Sequence, residues 1–423
     1  MSTVIIPPTN FEQSTETDSS SSQPTEVTAL AYIPTSLYLI SCCSRGVLRS
    51  WVAPTDKAPQ ASRLGPERHG FLGASSVVSF YTAENSRNLE YHVAFASDAG
   101  SFVRLQAHNQ HKLPMVKPYP VTLAFTPSVS KLIGGANDGT LMVWDLAEDW
   151  AELESKIKAR RKREEGCAED DKRGQDKALE KRKRLRNLEK VDDYRNKPTP
   201  SLCQISKHKT AITLITISSN GCLMATCGRD GQCCLWEVDK LPPGHDARRD
   251  PVLELELPSV VIAILLSPDG RRLATTSDDY TCRIWDTSTG AEVQRFSPGS
   301  SMLIMSLSFS PDGSHVACGS SDGKVYILPV PLPPDGGPES QRVAELTGHG
   351  GTVNRVAYSP NGRYIVSGSL DQRVRVWDTS QGMACVGVYE GYVGKCLLIS
   401  PDGATFAYGS RDGQIMAHCM PDP

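Results

Sequence analysis

Short runs of hydrophobic residues, alternating with polar ones and separated by Gly, Pro, Asp and Asn, recur along this chain. Such runs predict β-strands joined by tight turns. The clearest unit, SPNGRYIVSGSLDQRVRVWD, occupies Ser359–Asp378, and similar units begin at Ser267, Ser310 and Ser400. The units follow one another at a spacing of roughly 40–50 residues, which predicts a fold built from repeated supersecondary units.

Each unit places a turn residue, usually acidic, six positions before a residue of its third strand. Five of the six tryptophans in the chain occupy that second place, namely Trp51, Trp144, Trp236, Trp285 and Trp377. Each unit is expected to form four short strands, as in a propeller blade. Counting the units in this register gives eight, of which the first two are the weakest.

The dipeptide Trp-Asp occurs in three units, at Trp144-Asp145, Trp285-Asp286 and Trp377-Asp378. With the spacing of the units, this pattern resembles the WD-repeat β-propeller superfamily over most of Val27–Met420, without the signature of one subfamily. The resemblance implies an all-β fold in the form of a single propeller. Eight blades fit the count best, and a seven-bladed ring with one irregular unit is the alternative.

The resemblance also implies buried hydrogen-bond networks that join a loop His, a Ser or Thr, the turn Asp and the Trp. Two units hold the complete set, namely His208, Thr226, Asp230 and Trp236, and His349, Ser367, Asp371 and Trp377. Imidazole and hydroxyl groups supply the donors that a buried carboxylate needs, so we expect these His–Asp pairs to be structural rather than catalytic. Units with Leu257, Ser300 or Glu390 at the His place should be less firmly fastened.

We expect five segments along the chain. They are residues 1–8, which close the ring by supplying an outer strand at Thr3–Ile6; residues 9–26, a flexible loop rich in Ser and Thr; residues 27–147, blades one to three; residues 148–200, a charged helical insertion in the third blade; and residues 201–423, blades four to eight. The closing strand is needed because unpaired edge strands promote aggregation.

The insertion carries much of the charge of the chain. Residues 148–197 contain 17 Lys and Arg against 14 Asp and Glu, a net charge of +3, whereas the whole chain has a net charge of −3. Two basic runs stand out, and the candidate patch is Arg160, Arg161, Lys162, Arg163, Lys181, Arg182, Lys183 and Arg184. Such runs are candidates for contact with RNA phosphates or a nuclear-import receptor, and a solvated helix with alternating ion pairs is the alternative.

Partners of WD-repeat proteins commonly bind the face around the central channel, formed by the start of each first strand and the residue before each turn Asp. The resemblance therefore gives a candidate partner-binding face of Val260, Ile262, Leu303, Met305, Arg229 and Arg411, with Asp278, Leu370 and Val393 in the same register. A peptide with an apolar anchor and an acidic neighbour would suit such a face. The alternative is that these residues pack beneath loops.

Composition narrows the function classes. Hydrophobic residues make up 39% of the 423 residues and charged residues 22%, so the chain as a whole is globular rather than disordered. The longest apolar run, Val260–Leu266, is too short to cross a membrane, and no signal peptide is evident, so we expect a soluble protein of the cytoplasm or nucleus. Its 13 cysteines include no CxxC pair and are interpreted as reduced core residues.

No phosphate-binding loop, nucleophile elbow or metalloprotease motif occurs in the sequence. We therefore expect a non-catalytic scaffold that holds other proteins in a complex, with no cofactor, metal or small-molecule substrate. A nuclear ribosome-assembly or RNA-associated factor is the alternative, and a substrate receptor of a ubiquitin ligase is a weaker one.

Overall fold

The computed structural model describes, with side chains, residues 121–127, 131–144, 203–241, 250–299, 301–330, 343–391, 393–394, 396–409 and 415–421. Outside these ranges it describes the backbone of further strands. Within this part of the chain the regular structure is β-strand apart from two short 3₁₀ turns, Val238–Lys240 and Thr379–Gln381.

The strands are numbered in chain order and follow one another at short intervals. In the first half of the chain they are β1 (Val4–Ile5), β2 (Val27–Tyr32), β3 (Tyr38–Cys43), β4 (Leu48–Val52), β5 (Val77–Ala83), β6 (Glu90–Ala96), β7 (Phe102–Gln106), β8 (Asn109–Leu113), β9 (Pro120–Phe125), β10 (Lys131–Ala136), β11 (Thr140–Asp145) and β12 (Leu202–Ser206). The next are β13 (Ile212–Ile217), β14 (Leu223–Gly228), β15 (Gln232–Glu237), β16 (Leu253–Glu256), β17 (Val261–Leu266), β18 (Arg272–Ser277), β19 (Cys282–Asp286), β20 (Glu292–Phe296), β21 (Ile304–Phe309) and β22 (His315–Ser320). The last are β23 (Val325–Pro329), β24 (Ala344–Leu346), β25 (Val353–Tyr358), β26 (Tyr364–Ser369), β27 (Arg373–Asp378), β28 (Ala384–Glu390), β29 (Leu397–Ile399), β30 (Thr405–Gly409) and β31 (Ile415–Cys419).

The described strands form eight antiparallel sheets, seven with four strands and one, the first, with three. We number the sheets 1 to 8 by their first strands, which are β2, β5, β9, β13, β17, β21, β25 and β29. The first strands of successive sheets contact one another, and β29 and β30 of sheet 8 contact β2 of sheet 1. The first strands are thus the innermost, and the fourth strands lie at the outer edges.

Two sheets draw a strand from a distant part of the chain. In sheet 8 the fourth strand is β1, whose Val4 and Ile5 pair with Ala417 and Met416 of β31. In sheet 3 the fourth strand is β12. It pairs antiparallel with β11, although more than fifty residues separate the two strands in the sequence. The outer strand of sheet 3 thus follows residues 148–200 in the sequence, and the expected segment boundaries stay predictions. The expected helices of residues 148–200 lie outside the described residues.

The turn between the first and second strands explains the repeated Ser-Pro-Asp-Gly motif. In SPNG of sheet 7, Ser359 Oγ donates to Asn361 Oδ1 at 2.6 Å, and the Tyr364 amide donates back to Ser359 Oγ at 2.8 Å. Gly362 has φ +72°, a left-handed conformation that costs other residues free energy. In the SPDG turns the equivalent bond joins Ser Oγ to Asp Oδ1, and it is made by Ser267, Ser310 and Ser400. The motif therefore encodes a self-contained turn.

The hydrophobic core lies between neighbouring sheets. One cluster joins Ile133 and Val143 of sheet 3 to Ile212, Met224 and Trp236 of sheet 4. Equivalent clusters lie between sheets 4 and 5, 5 and 6, 6 and 7, and 7 and 8. Trp236, Trp285 and Trp377 each pack against the sheet before their own, so sheets 4, 5 and 7 do not complete their cores alone.

Not all the cysteines are reduced. Cys227 of β14 and Cys233 of β15, which face each other across the hairpin, form a disulfide with a Cα–Cα distance of 4.3 Å. The interpretation of every cysteine as a free thiol is therefore wrong for this pair, because strand pairing places the two side chains within bonding reach. Eight other cysteines in the described part of the chain form no disulfide, and five of them are buried.

We predict that Gly362→Ala lowers the free energy of unfolding by about 1–2 kcal/mol, because an alanine strains the left-handed backbone of the turn. Denaturant titration of both proteins measures the difference. Gly299→Ala is the control, since Gly299 does not have positive φ and an added Cβ there meets only an ordinary contact with Met302. An equal loss in both variants would contradict the explanation of the turn.

Candidate partner-binding face

The turn between the second and third strands of sheet 7 is fixed by a complete hydrogen-bond network. Because a carboxylate only accepts, His349 Nδ1 donates to Asp371 Oδ2 at 3.0 Å, which leaves His349 Nε2 to accept from Ser367 Oγ at 2.9 Å. Trp377 Nε1 then donates to Ser367 Oγ at 2.8 Å. The amide of Gly350 adds a bond to Asp371 Oδ2 at 2.9 Å, which ties the turn to the loop entering the sheet.

Sheet 4 repeats this arrangement with one difference. Trp236 Nε1 donates to Thr226 Oγ1 at 3.0 Å, and His208 Nε2 lies 2.9 Å from the same oxygen. His208 Nδ1, however, is 3.8 Å from Asp230 Oδ1, too far for a hydrogen bond. The amide of Lys209 still donates to Asp230 Oδ2 at 3.0 Å. The sequence thus predicts all eight network residues, and the structure brings each set together with one longer separation.

Sheets 5 and 6 have no loop His, and each supplies another donor to its turn carboxylate. In sheet 5, Arg283 Nη2 donates to Asp279 Oδ2 at 2.5 Å. In sheet 6, the hydroxyl of Tyr326 donates to Asp322 Oδ2 at 2.6 Å. Both donors stand four residues after their Asp on the third strand, a position that the comparison of loop residues missed. We expected the turns of these sheets to be held less rigidly because they lack the His. That expectation did not consider the donors Arg283 and Tyr326.

Sheet 8 has different residue types at two of the network positions. Tyr408 stands at the Ser or Thr place and His418 at the Trp place, and the Tyr408 hydroxyl lies 3.2 Å from both His418 Nε2 and the Glu390 carbonyl oxygen. The imidazole stacks on Phe406 and Tyr408 and contacts Tyr389, with ring centroids 4.6–5.7 Å apart. His418 is thus buried among aromatic rings.

Burial keeps these histidines neutral. It lowers the pKa of His349 and His208, although Asp371 and Asp230 act in the opposite direction. It lowers the pKa of His418 to about 4. Burial alone would raise the pKa of Asp371, but the bonds from Gly350 and His349 outweigh it and lower that pKa. A neutral His beside an ionised Asp fits the structural role.

The network turns lie at one rim of the sheets. There the residue before each turn Asp bonds through its amide to the carbonyl at the start of the first strand. The bonds are Arg229 to Ala211 at 3.1 Å, Asp278 to Val260 at 3.0 Å, Ser321 to Leu303 at 2.8 Å and Leu370 to Thr352 at 2.9 Å. A bond from Thr352 Oγ1 to the Ser321 carbonyl at 3.3 Å joins sheets 6 and 7 at this rim.

Three successive sheets expose a large apolar side chain at the rim. Val260 of sheet 5 is 44% exposed, Met302 of sheet 6 37% and Leu370 of sheet 7 46%. We call these three residues the rim patch. Arg229 of sheet 4 and Asp278 of sheet 5 are exposed beside it. Scattered exposed apolar residues are common, but one at the rim of each of three adjacent sheets forms a candidate surface for a partner.

The residues taken from the sequence register fall into different positions. Ile262 and Met305 are the extra residues of β-bulges in β17 and β21 and are half-buried, as is Leu303. Val393, expected at the face, is fully buried against Gly368 and the core between sheets 7 and 8, so its assignment is wrong. Met302 was missed because it precedes the register position by one residue.

Several predicted residues lie outside the described residues. They are Arg411 of the candidate face and the whole basic patch, Arg160, Arg161, Lys162, Arg163, Lys181, Arg182, Lys183 and Arg184. Among the residues that are described, no cluster of three or more His, Cys, Asp or Glu has the arrangement of a metal site. That part of the chain also contains no helix with the length and apolar character needed to span a bilayer.

Comparison with known proteins explains the repeated sheets. The family described as "WD domain, G-beta repeat" matches residues 200–237, 250–286, 290–327 and 340–378. The chain is a WD-repeat protein. Each matched repeat starts in the outer strand of one sheet and ends in the third strand of the next, as in residues 290–327, which run from β20 to β23.

Curated relatives match parts of this WD-repeat protein. It is 28% identical over 192 residues to WD repeat-containing protein SL1-17 of Schistosoma mansoni, covering 45% of this chain and 58% of the relative, less than two thirds of that protein. It is 24% identical to nuclear distribution protein PAC1 of Arthroderma otae, covering 69% and 67% of the two chains. It is 26% identical to THO complex subunit 3 of Arabidopsis thaliana, covering 43% and 67%.

A solved structure shares the fold. The crystal structure of the computationally designed Ika8 protein superposes with a TM-score of 0.63, covering 94% of this chain and 97% of the designed one, at 17% sequence identity. At that identity the likeness concerns the fold alone.

We predict that Tyr326→Phe lowers the free energy of unfolding by about 2 kcal/mol, because Asp322 loses a buried donor. Tyr280→Phe is the control, since Tyr280 is partly exposed and lies in the equivalent turn of sheet 5. Denaturant titration distinguishes the two variants. A Tyr326→Phe protein as stable as the control would show that the hydroxyl is dispensable.

We predict that the protein loses stability as the pH falls from about 6.5 to about 4. The folded state holds His418 at a pKa of about 4, so in this window the unfolded chain binds protons that the folded chain does not. His418→Gln should remove about 3 kcal/mol of this loss. Unfolding titrations at pH 7 and pH 4 measure it, and equal pH dependence in both proteins would contradict the assignment.

Proposed function

We propose that this WD-repeat protein is a non-catalytic scaffold that binds a partner protein through the rim patch. The carrying observation is that three adjacent sheets each expose a large apolar side chain at the rim, namely Val260, Met302 and Leu370. Interface centres favour such apolar groups when polar groups surround them. Arg229 and Asp278 provide charged neighbours, so the partner is a peptide segment with an apolar anchor next to charged residues.

The rim is suited to binding because its shape is held from within. Leu370 directly precedes Asp371, whose carboxylate accepts bonds from His349, Gly350 and Arg373. A side chain displayed on a fixed turn loses little conformational entropy when a partner covers it. This supports a preformed binding surface.

The scaffold is proposed to be one ring of eight blades. The contacts between first strands run from sheet 1 to sheet 8, and those of sheet 8 with β2 return to sheet 1. The pairing of β1 with β31 supports the N-terminal residues as the closing strand. A ring of this kind leaves no sheet without two neighbours to complete its core.

We place the protein inside the cell, in the cytoplasm or nucleus. Eight of the ten cysteines in the described residues form no disulfide, which supports a reducing environment. A relative named as a subunit of the THO complex supports membership of a multiprotein complex. Contact with RNA or an import receptor through the basic insertion stays a prediction from the sequence.

We predict that Leu370→Glu reduces the amount of bound partner at least about tenfold, because a buried carboxylate is costly in an apolar interface. Affinity purification of the tagged protein from native cells, with quantitative mass spectrometry, measures the partners retained. Val388→Glu is the matched control: Val388 is also 46% exposed in sheet 7 but lies on the outer strand β28.

The comparison between these variants decides the location of the interface. Partners retained by Val388→Glu and lost by Leu370→Glu and Val260→Glu support the rim patch. Partners retained by all three variants would show that they bind elsewhere. The unfolding midpoint of each variant is measured first, so that a loss of fold is not mistaken for a loss of binding.

A further inference from the structure

The disulfide in sheet 4 encloses one of the network turns. Cys227 and Cys233 bracket the residues Gly228 to Gln232, which include Arg229 of the rim and Asp230 of the network. The two cysteines are fully buried and Arg229 is exposed, whereas the side chain of Asp230 is 13% exposed. The disulfide therefore closes a short loop that contains both the network carboxylate of Asp230 and the rim residue Arg229.

Sheet 7 shows the same turn without a disulfide. Gly368 and Val374 stand at the places of the two cysteines. There the His349 Nδ1–Asp371 Oδ2 distance is 3.0 Å, whereas in sheet 4 the His208 Nδ1–Asp230 Oδ1 distance is 3.8 Å.

The remaining contacts of the two turns agree closely. Lys209 and Gly350 make equivalent amide bonds of 3.0 and 2.9 Å, and Gln232 and Arg373 of 3.1 and 3.0 Å. His208 Nδ1 is buried with no hydrogen-bond partner among the described residues. The missing bond therefore distinguishes the disulfide-closed turn from its open equivalent.

The Cys227–Cys233 disulfide is exceptional among the ten cysteines that the structure describes. Cys234, next to Cys233, is a free and buried thiol, and burial raises its pKa to about 12. Cys203, Cys282 and Cys318 are also buried and form no disulfide. One disulfide in the described part of the chain, where eight other cysteines form none, is typical of a redox-responsive pair rather than of a disulfide-stabilised fold.

We propose that Cys227 and Cys233 are a redox latch that sets the His208–Asp230 contact. Two molecules of a small thiol such as glutathione reduce the pair: the Sγ–Sγ bond breaks, each Sγ takes up one proton, and the two small thiols are oxidised to their disulfide. The released turn then lets Asp230 accept from His208 Nδ1, as Asp371 does from His349. Since both sulfurs are buried, exchange proceeds when the turn around Arg229 opens.

The first experiment counts thiols in the full-length protein. After incubation in glutathione buffers of increasing oxidised fraction, alkylation and peptide mass spectrometry identify protected cysteines among the 13 in the chain. The expected result is joint protection of Cys227 and Cys233 while Cys234 remains alkylated. Failure of this pair to form at any ratio, or formation of mixed disulfides with Cys234, would overturn the proposal.

The second experiment follows the imidazole of His208. In protein with ¹⁵N-labelled histidine, reduction should shift one histidine signal towards that of His349 and leave His349 unchanged, and His208→Gln identifies that signal by its loss. A Cys227→Ser/Cys233→Ser protein should give the reduced signal in either buffer, and Cys234→Ser should retain the response. A signal that is identical in the two redox states, or a shift that persists in the double variant, would overturn the latch.

Control of partner binding is a consequence that rests on the proposed function, because the closed turn carries Arg229. Partner capture is compared between the double variant and Cys234→Ser after the thiol and histidine measurements. A normal histidine response with unchanged capture would refute only this consequence and leave the latch standing.

Discussion

The rim of this protein depends on carboxylates that are largely shielded from water and must be hydrogen-bonded. In sheet 7 the side chain of Asp371 is 13% exposed and accepts from an imidazole and from the backbone amides of Gly350 and Arg373. Loss of a partner of a buried charge is among the most destabilising changes in a protein. Because Gly350 belongs to the loop from the preceding sheet, the carboxylate fixes two adjacent blades together. The exposed Leu370 directly precedes Asp371 and therefore lies on the turn that these hydrogen bonds hold in place.

In sheets 5, 6 and 7 the hydrogen-bond acceptor is the carboxylate of the turn Asp, whereas the side chain that donates to it differs from sheet to sheet. A His reaches the carboxylate from the entering loop in sheet 7, whereas Arg283 and Tyr326 reach theirs from the third strand. Four residues after the Asp, a strand side chain lies on the same face as the Trp position, since side chains alternate with period two. Different residues can therefore meet one requirement. In sheet 8, Tyr408 and His418 stand at the Ser/Thr and Trp positions, and the Tyr408 hydroxyl lies 3.2 Å from His418 Nε2.

The repeat in the sequence and the sheet in space are out of step by one strand. Residues 250–286 match one WD repeat, yet they contribute β16 to sheet 4 and β17 to β19 to sheet 5. This offset means that each repeat covers part of its neighbour, and it explains why β12 belongs to sheet 3 and why β1 completes sheet 8. Cooperation between sheets follows from the chain connectivity itself as well as from the cores between them.

The all-β repeat architecture and the residues of the two networks could be predicted from the sequence, because turn motifs and strand alternation are local and recur with fixed spacing. The bond from Ser359 to Asn361 spans two residues and needs no other part of the chain. The tertiary structure alone decided what depends on neighbouring sheets. Val393 is buried because the core between sheets 7 and 8 covers it, while Met302, one residue outside the register, is exposed. The pairing of Cys227 with Cys233 likewise required the hairpin register, since spacing in sequence does not show which side chains face each other across a turn.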